Sequence, residues 1–225
     1  FEYLFTKAQT GQVEPRQGKK YLGMEPVLTL KDSLGNDVNY FQVNVFDDGL
    51  YAEAIKAADK AIAVWPDRLD FRFMKANAYI AYEKESPDMA LADLMVLADE
   101  NAHRKSSWVY DGKKADQAFF QDAMQEYCFS FYQIGSVQAR EAFYALSQKM
   151  NGLYPENLSF INNIGTYNLV VKEDYKTALK YYNKVLKVHP EDYTAIKNSV
   201  LIARKQKNLK LEKKYVRMLA EHGNE

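Results

Sequence analysis

Three histidines, His103, His189 and His222, and a single cysteine, Cys128, are the residues on which metal binding or nucleophilic catalysis would have to rest. No two of the histidines stand three or four apart, so no helix face offers a paired imidazole site for a metal. HExxH, CxxC, GxGxxG and GxxxxGK[ST] are all missing. In Ile134-Gly135-Ser136-Val137-Gln138 the Gly–Ser spacing is wrong for a nucleophile elbow. Cys128 lies in Glu126-Tyr127-Cys128-Phe129-Ser130-Phe131, an aromatic helical stretch without an adjacent base, and reads as a packed thiol. Asn157-Leu158-Ser159 fits a glycosylation sequon and, better, a helix entry. No catalytic residue, cofactor or metal ligand is expected. What remains is the chemistry of amides and aromatics. Asparagines such as Asn163 and Asn198 each carry a donor and an acceptor, the equipment for gripping an extended peptide backbone.

The elements that must position these residues are helices. From Gly49 onward apolar residues recur three or four apart. The spacing predicts helices over about 49–64, 69–84, 88–101, 114–134, 137–151, 158–171, 175–188, 192–206 and 208–221. The clearest stretch is Leu158–Pro190: Phe160, Ile164, Tyr167 and Val171 make one stripe, and Tyr175, Ala178, Leu179, Tyr182, Val185 and Leu186 make another. The polar link between them, Lys172-Glu173-Asp174, is so short that the pair must fold back on itself. Upstream, residues 1–12 are expected to hold a short helix and 11–25 a loop. Residues 27–46 have a β flavour, with a turn at Ser33–Asp37, and are compatible with a hairpin or with a loop and short helix. Residues 102–113 interrupt the helical rhythm as an insertion carrying Trp108 and Tyr110, amphipathic aromatics suited to anchoring a partner or to packing back onto the helices.

The totals fit that picture. The chain has 225 residues, 47% hydrophobic and 27% charged, with formal net charge zero, values ordinary for a globular protein. A zero balance gives no global attraction to nucleic acid, and basic and aromatic residues do not interleave as a strand-binding surface requires. No apolar run approaches the roughly 20 residues of a transmembrane helix. One cysteine forbids an intramolecular disulfide. The first residue is Phe1, so the chain is expected to be a processed or shortened product, and its compartment stays open.

Pro66, Pro155 and Pro190 each follow an amphipathic helix, and ten residues beyond each lies Ala76, Gly165 or Val200. Ala54 and Ala178 stand twelve residues before Pro66 and Pro190, and Pro155 to Pro190 is a 35-residue step. Small residues at these offsets would let paired helices approach closely. In Asn163-Ile164-Gly165…Asp174-Tyr175…Ala178-Leu179…Tyr182…Pro190, and again in Tyr51-Ala52-Glu53-Ala54-Ile55…Ala61-Ile62…Pro66, the chain resembles the tetratricopeptide repeat (TPR) family. The resemblance covers about residues 48–225. Gly165 to Ala178 is one residue longer than is usual for the family, and Val200 replaces a small residue in the last unit, as suits a terminal cap.

The resemblance implies an all-α, right-handed α–α superhelix (a solenoid) of TPR-like hairpins, with an irregular N-terminal segment over 1–47 and a helical repeat domain over 48–225. It implies that the first helix of each unit lines a concave wall on which a protein or peptide binds. The wall residues so assigned are Phe73 and Asn77, Asn162, Asn163 and Thr166, and Lys197, Asn198 and Arg204, with Leu201 beside them. Asn163 and Asn198 are 35 apart and so fall at one position of successive units. These asparagines suit peptide binding and, equally, solvation or bonding to neighbouring backbone. The family's Lys-and-Asn clamp for a terminal carboxylate is matched only by Lys197 and the asparagines, and Phe73 stands where it wants a cation.

Charge is unevenly distributed: residues 172–217 carry thirteen Lys/Arg against five Asp/Glu, while residues 83–100 are acidic. This polarity suits an acidic partner, head-to-tail self-association, or simply a solvated helix surface. The expected function is a non-catalytic protein- or peptide-binding scaffold. The alternative is a structural subunit that self-associates or docks through its ends, with its groove filled by residues 1–47. An enzyme would need titratable groups converging near His103.

Overall fold

The computed structural model describes residues 1–104 and 107–222, so part of the insertion at 102–113 lies outside the described residues. Among the described residues the chain is mostly helical, with ten helices and five short strands. None of these helices is long and apolar enough to cross a membrane. The chain divides into two compact units, one of residues 1–124 and 129–142, the other of 125–128 and 143–225.

The first unit opens with α1 (Glu2–Ala8), which passes directly into β1 (Gln9–Arg16). β2 (Leu28–Lys31) and β3 (Asp37–Phe46) form an antiparallel hairpin. Its turn is held by the Asp32 carboxylate, which accepts the backbone N–H groups of Leu34 and Asn36, and by Gly35 at φ +84°. Of the two forms compatible with residues 27–46, the hairpin is observed. The loop expected over 11–25 is corrected: its first part is β1, paired antiparallel to β3 from Gln9↔Phe46 to Arg16↔Asn39. Strand order is β1-β3-β2, so β1 is an edge strand and can hold Pro15, which has no N–H to donate. Alternation on β3 buries Phe41 and Val43 against Tyr21 and Leu22.

Three helices follow in the first unit. α2 (Asp48–Val64) starts at Asp47, whose carboxylate accepts the Leu50 N–H, and ends just before Pro66. α3 (Leu69–Glu83) leads to α4 (Asp88–His103), whose first turn is capped from a distance by the Glu83 carboxylate, which accepts from the Met89 and Ala90 N–H groups. Lys75 of α3 bridges Asp59 of α2 and Asp93 of α4 at 2.9 and 3.1 Å. Burial works against its charge, but those two carboxylates outweigh it and raise its pKa. A small ribbon, β4 (Trp108–Tyr110) with β5 (Lys113–Ala115), starts in the insertion and runs past its expected end at 113, so that the helix expected from about 114 begins later. α5 (Gln117–Ile134) then begins at the cap Asp116 and stops at Gly135, φ +78°.

The second unit takes one turn of α5 and most of α6 (Val137–Leu153), then α7 (Leu158–Val170), α8 (Tyr175–Val188), α9 (Tyr193–Lys205) and α10 (Leu209–His222). Asn157, Asp174 and Asp192 cap α7, α8 and α9 through their side chains. Its core gathers Leu169, Ala178, Tyr182, Val185, Ala195, Ile196, Ile202 and Tyr215 from four helices.

Candidate functional site

Cys128 is fully buried; its sulfur lies 3.5 Å from the Ser147 hydroxyl, which itself donates to the Phe143 carbonyl. Burial pushes the Cys128 thiol up to about 12, so a thiolate is suppressed at neutral pH. His103 is exposed beside its own helix's Asp99 carbonyl, and His189 lies 3.5 Å from Glu191 on the surface. Among the described residues no three His, Cys, Asp or Glu side chains are grouped to hold a metal ion.

In the second unit the predicted asparagines are engaged within the protein. Asn163 and Gln125 exchange two amide hydrogen bonds, at 2.8 and 3.2 Å. The Asn162 amide donates to both oxygens of Asp192, and Asp192 also caps α9, so this pair links the α7 surface to the start of α9. Among the described residues, the Asn162 Oδ1 is buried without a partner. The Thr166 and Tyr182 hydroxyls lie 3.2 Å apart, and the Asn198 amide donates to the same Tyr182 oxygen at 3.0 Å. Asn163 and Asn198 thus serve different helices, α5 and α8. Tyr182 unites Thr166 and Asn198 in one network, and Asn162 and Asn163 stand apart from it.

The exposed part of this region is one face of α9. Tyr193, Lys197, Leu201 and Arg204 are all exposed there, at steps of four, four and three residues. Tyr193 is 58% exposed and Leu201 43%, large values for such side chains. The Lys197 ammonium lies 5.5 Å from the Tyr193 ring centroid, and Arg204 is bonded to Glu212 at 2.7 Å. Tyr193 is absent from the residues singled out in the sequence, yet its position four before Lys197 places it on that stripe.

In the first unit Phe73 is buried, and Asn77, one turn further along α3, is exposed. Both line a cleft of about 350 Å³ with Phe1, Glu2 and Phe5 of the N-terminal segment, Met74 of α3 and Tyr110 of the ribbon. The Tyr110 ring lies 6.1 Å from Phe73 and 4.9 Å from Phe119. At its edge Asp70 is paired with Arg68, which holds its carboxyl below the usual range. The two insertion aromatics differ. Trp108 is only 2% exposed, donates its indole N–H to Asn101 and lies under the Arg104 guanidinium at 3.7 Å. Tyr110 is 38% exposed. Phe1, Glu2 and Phe5 belong to the 1–47 segment that the alternative reading puts in the groove with Phe73 and Asn77.

No family model matches the chain, and no curated protein matches its sequence.

Proposed function

We propose that this chain is a non-catalytic scaffold of tetratricopeptide-like helical hairpins, built as a right-handed α–α superhelix, that binds a protein or peptide segment bearing acidic and apolar residues. The observation that carries this reading is the exposed α9 stripe of Tyr193, Lys197, Leu201 and Arg204. An aromatic, a cation and an aliphatic residue at successive turns suit a partner presenting apolar anchors between carboxylates. Support comes from α10, where Lys210, Lys213, Lys214 and Arg217 line a shallow depression with Leu211. A positive surface at this end speeds the encounter with an acidic segment. The exposed His103 and His189 and the buried Cys128 thiol support a function without catalysis.

The test is fluorescence anisotropy with a labelled peptide of alternating Asp/Glu and Leu/Phe. The expected result is saturable binding that weakens at least tenfold in the Tyr193→Ala/Lys197→Glu double variant and falls with added salt. Equal binding by the two proteins would sink the proposal.

A second reading, a structural subunit whose groove is filled by its own N-terminal segment, is favoured by one observation: Phe1, Glu2 and Phe5 line the cleft at Phe73. On that reading the Phe73 end is unavailable to peptide and the chain self-associates through its charged surfaces. Sedimentation analysis at low and high salt distinguishes it, the expected outcome being a salt-sensitive oligomer.

A further inference from the structure

A second cavity of about 350 Å³ lies within the first unit, away from the α3 cleft, where the sheet meets the ends of α3 and α5. Tyr21, Leu22, Met24, Val43, Ile80, Ala81 and Ile134 give it apolar walls, and Gln42, Asn44 and Lys84 are its polar residues. Its volume lies within the roughly 300–1,000 Å³ of small-ligand sites, which combine apolar walls with a few polar groups.

Lys84 is the only charged residue on the lining, and no ion pair to its ammonium occurs among the described residues. Its acidic neighbours are otherwise engaged. Glu83 caps α4, and burial acts with the carboxylate of Glu85 to raise the pKa of the Tyr21 phenol, against the nearby Arg16.

The backbone is strained at two lining residues. Lys84 has φ +59°, and Leu22 has φ +50° in a tight Leu22-Gly23 turn closed by reciprocal Tyr21–Met24 hydrogen bonds. Both central residues of that turn have positive φ, where Asn and Gly are favoured and leucine is not. Gly23 has no such freedom to change, because a Cβ there would stand 3.1 Å from the Gln133 carbonyl oxygen. The fold thus accepts strain at the two positions that bring an apolar and a cationic side chain to the cavity. Such outliers persist only where the surrounding structure over-determines the backbone, and Asp111, Glu173 and Lys207 share a positive φ in connecting segments elsewhere in the chain.

We infer that this cavity is a binding site for a small amphipathic carboxylate, its apolar body against Leu22, Val43, Ile80 and Ile134 and its anionic head paired with Lys84. Calorimetric titration of the intact chain with octanoate, octan-1-ol and octyltrimethylammonium tests it. One-site binding of octanoate at least tenfold tighter than octanol, with no binding of the cation, is expected. Lys84→Met lowers octanoate to the octanol level. Lys84→Gly does the same and also raises Tm, since glycine relieves the positive φ. Ile80→Trp, filling the cavity, abolishes binding of both ligands, with an unchanged circular dichroism spectrum as the check on folding. Absence of saturable octanoate binding, or equal octanoate affinity in wild type and both Lys84 variants, overturns the inference.

Discussion

The ring of Tyr182 occupies the space that any side chain on Gly165 would need: a Cβ there would stand 2.7 Å from the Tyr182 Cε1. This contact sets how closely α7 and α8 approach. The same ring carries its hydroxyl to Thr166 and Asn198. Gly165→Ala should therefore destabilise the chain, by about 1–3 kcal/mol, through overpacking. Thermal unfolding checks this, and a Gly165→Ala/Tyr182→Leu double variant should lose less than the sum of the single changes, because the two residues share one space.

Asn163 and Gln125 satisfy each other's amides in a partly buried setting. Asn163→Ala leaves Gln125 without its partner and should cost about 1–3 kcal/mol. Peptide affinity should change less than threefold, because the exposed α9 stripe is untouched. Denaturant unfolding and anisotropy on the same variant read the two effects separately.

Trp108 and Tyr110 should part company on mutation. Trp108 is buried with its N–H satisfied by Asn101, so Trp108→Ala should cost about 3–5 kcal/mol. Tyr110 is exposed at the edge of the Phe73 cleft, and Tyr110→Ala should cost less than about 1 kcal/mol. Urea midpoints of the two variants decide this, and a larger loss for Tyr110→Ala would reverse the assignment.

Asp174 caps α8. Its carboxyl is held below the ordinary carboxylate range by hydrogen bonds from the Thr177 hydroxyl and the Thr177 N–H. A depressed folded pKa means the contribution to stability is present above the unfolded value of about 3.9 and is lost as pH falls through the folded value. The Tm difference between wild type and Asp174→Ala should be constant from neutral pH to about 5 and shrink below about 4. A difference that grows on acidification would contradict the cap.

Much of the helical framework was legible because its signals are local. Apolar spacing and proline stops placed α2, α3 and α7 to α9 within two residues of the observed bounds. β1 was not legible. Gly11, Pro15 and Arg16 read as loop, and only pairing with β3 makes them a strand, a tertiary choice no local pattern encodes.

The candidate faces divide in the same way. The period of α9 determines by itself that Lys197, Leu201 and Arg204 share a side, since 3.6 residues per turn is a property of the backbone. Whether an amide on such a side meets solvent or protein depends on which helix arrives opposite. For Asn162 and Asn163 that was decided by Asp192 and Gln125, thirty residues later and 38 residues earlier in the chain. Sequence alone thus determined these helices and the small residue at Gly165. Tertiary structure decided that Tyr182 fills the space beside that glycine, that Phe1 and Phe5 line one cleft with Phe73, and that Lys84 stands at a cavity with no counter-charge among the described residues. Side-chain pairing across distant segments depends on three-dimensional packing, and packing is where local periodicity carries no information.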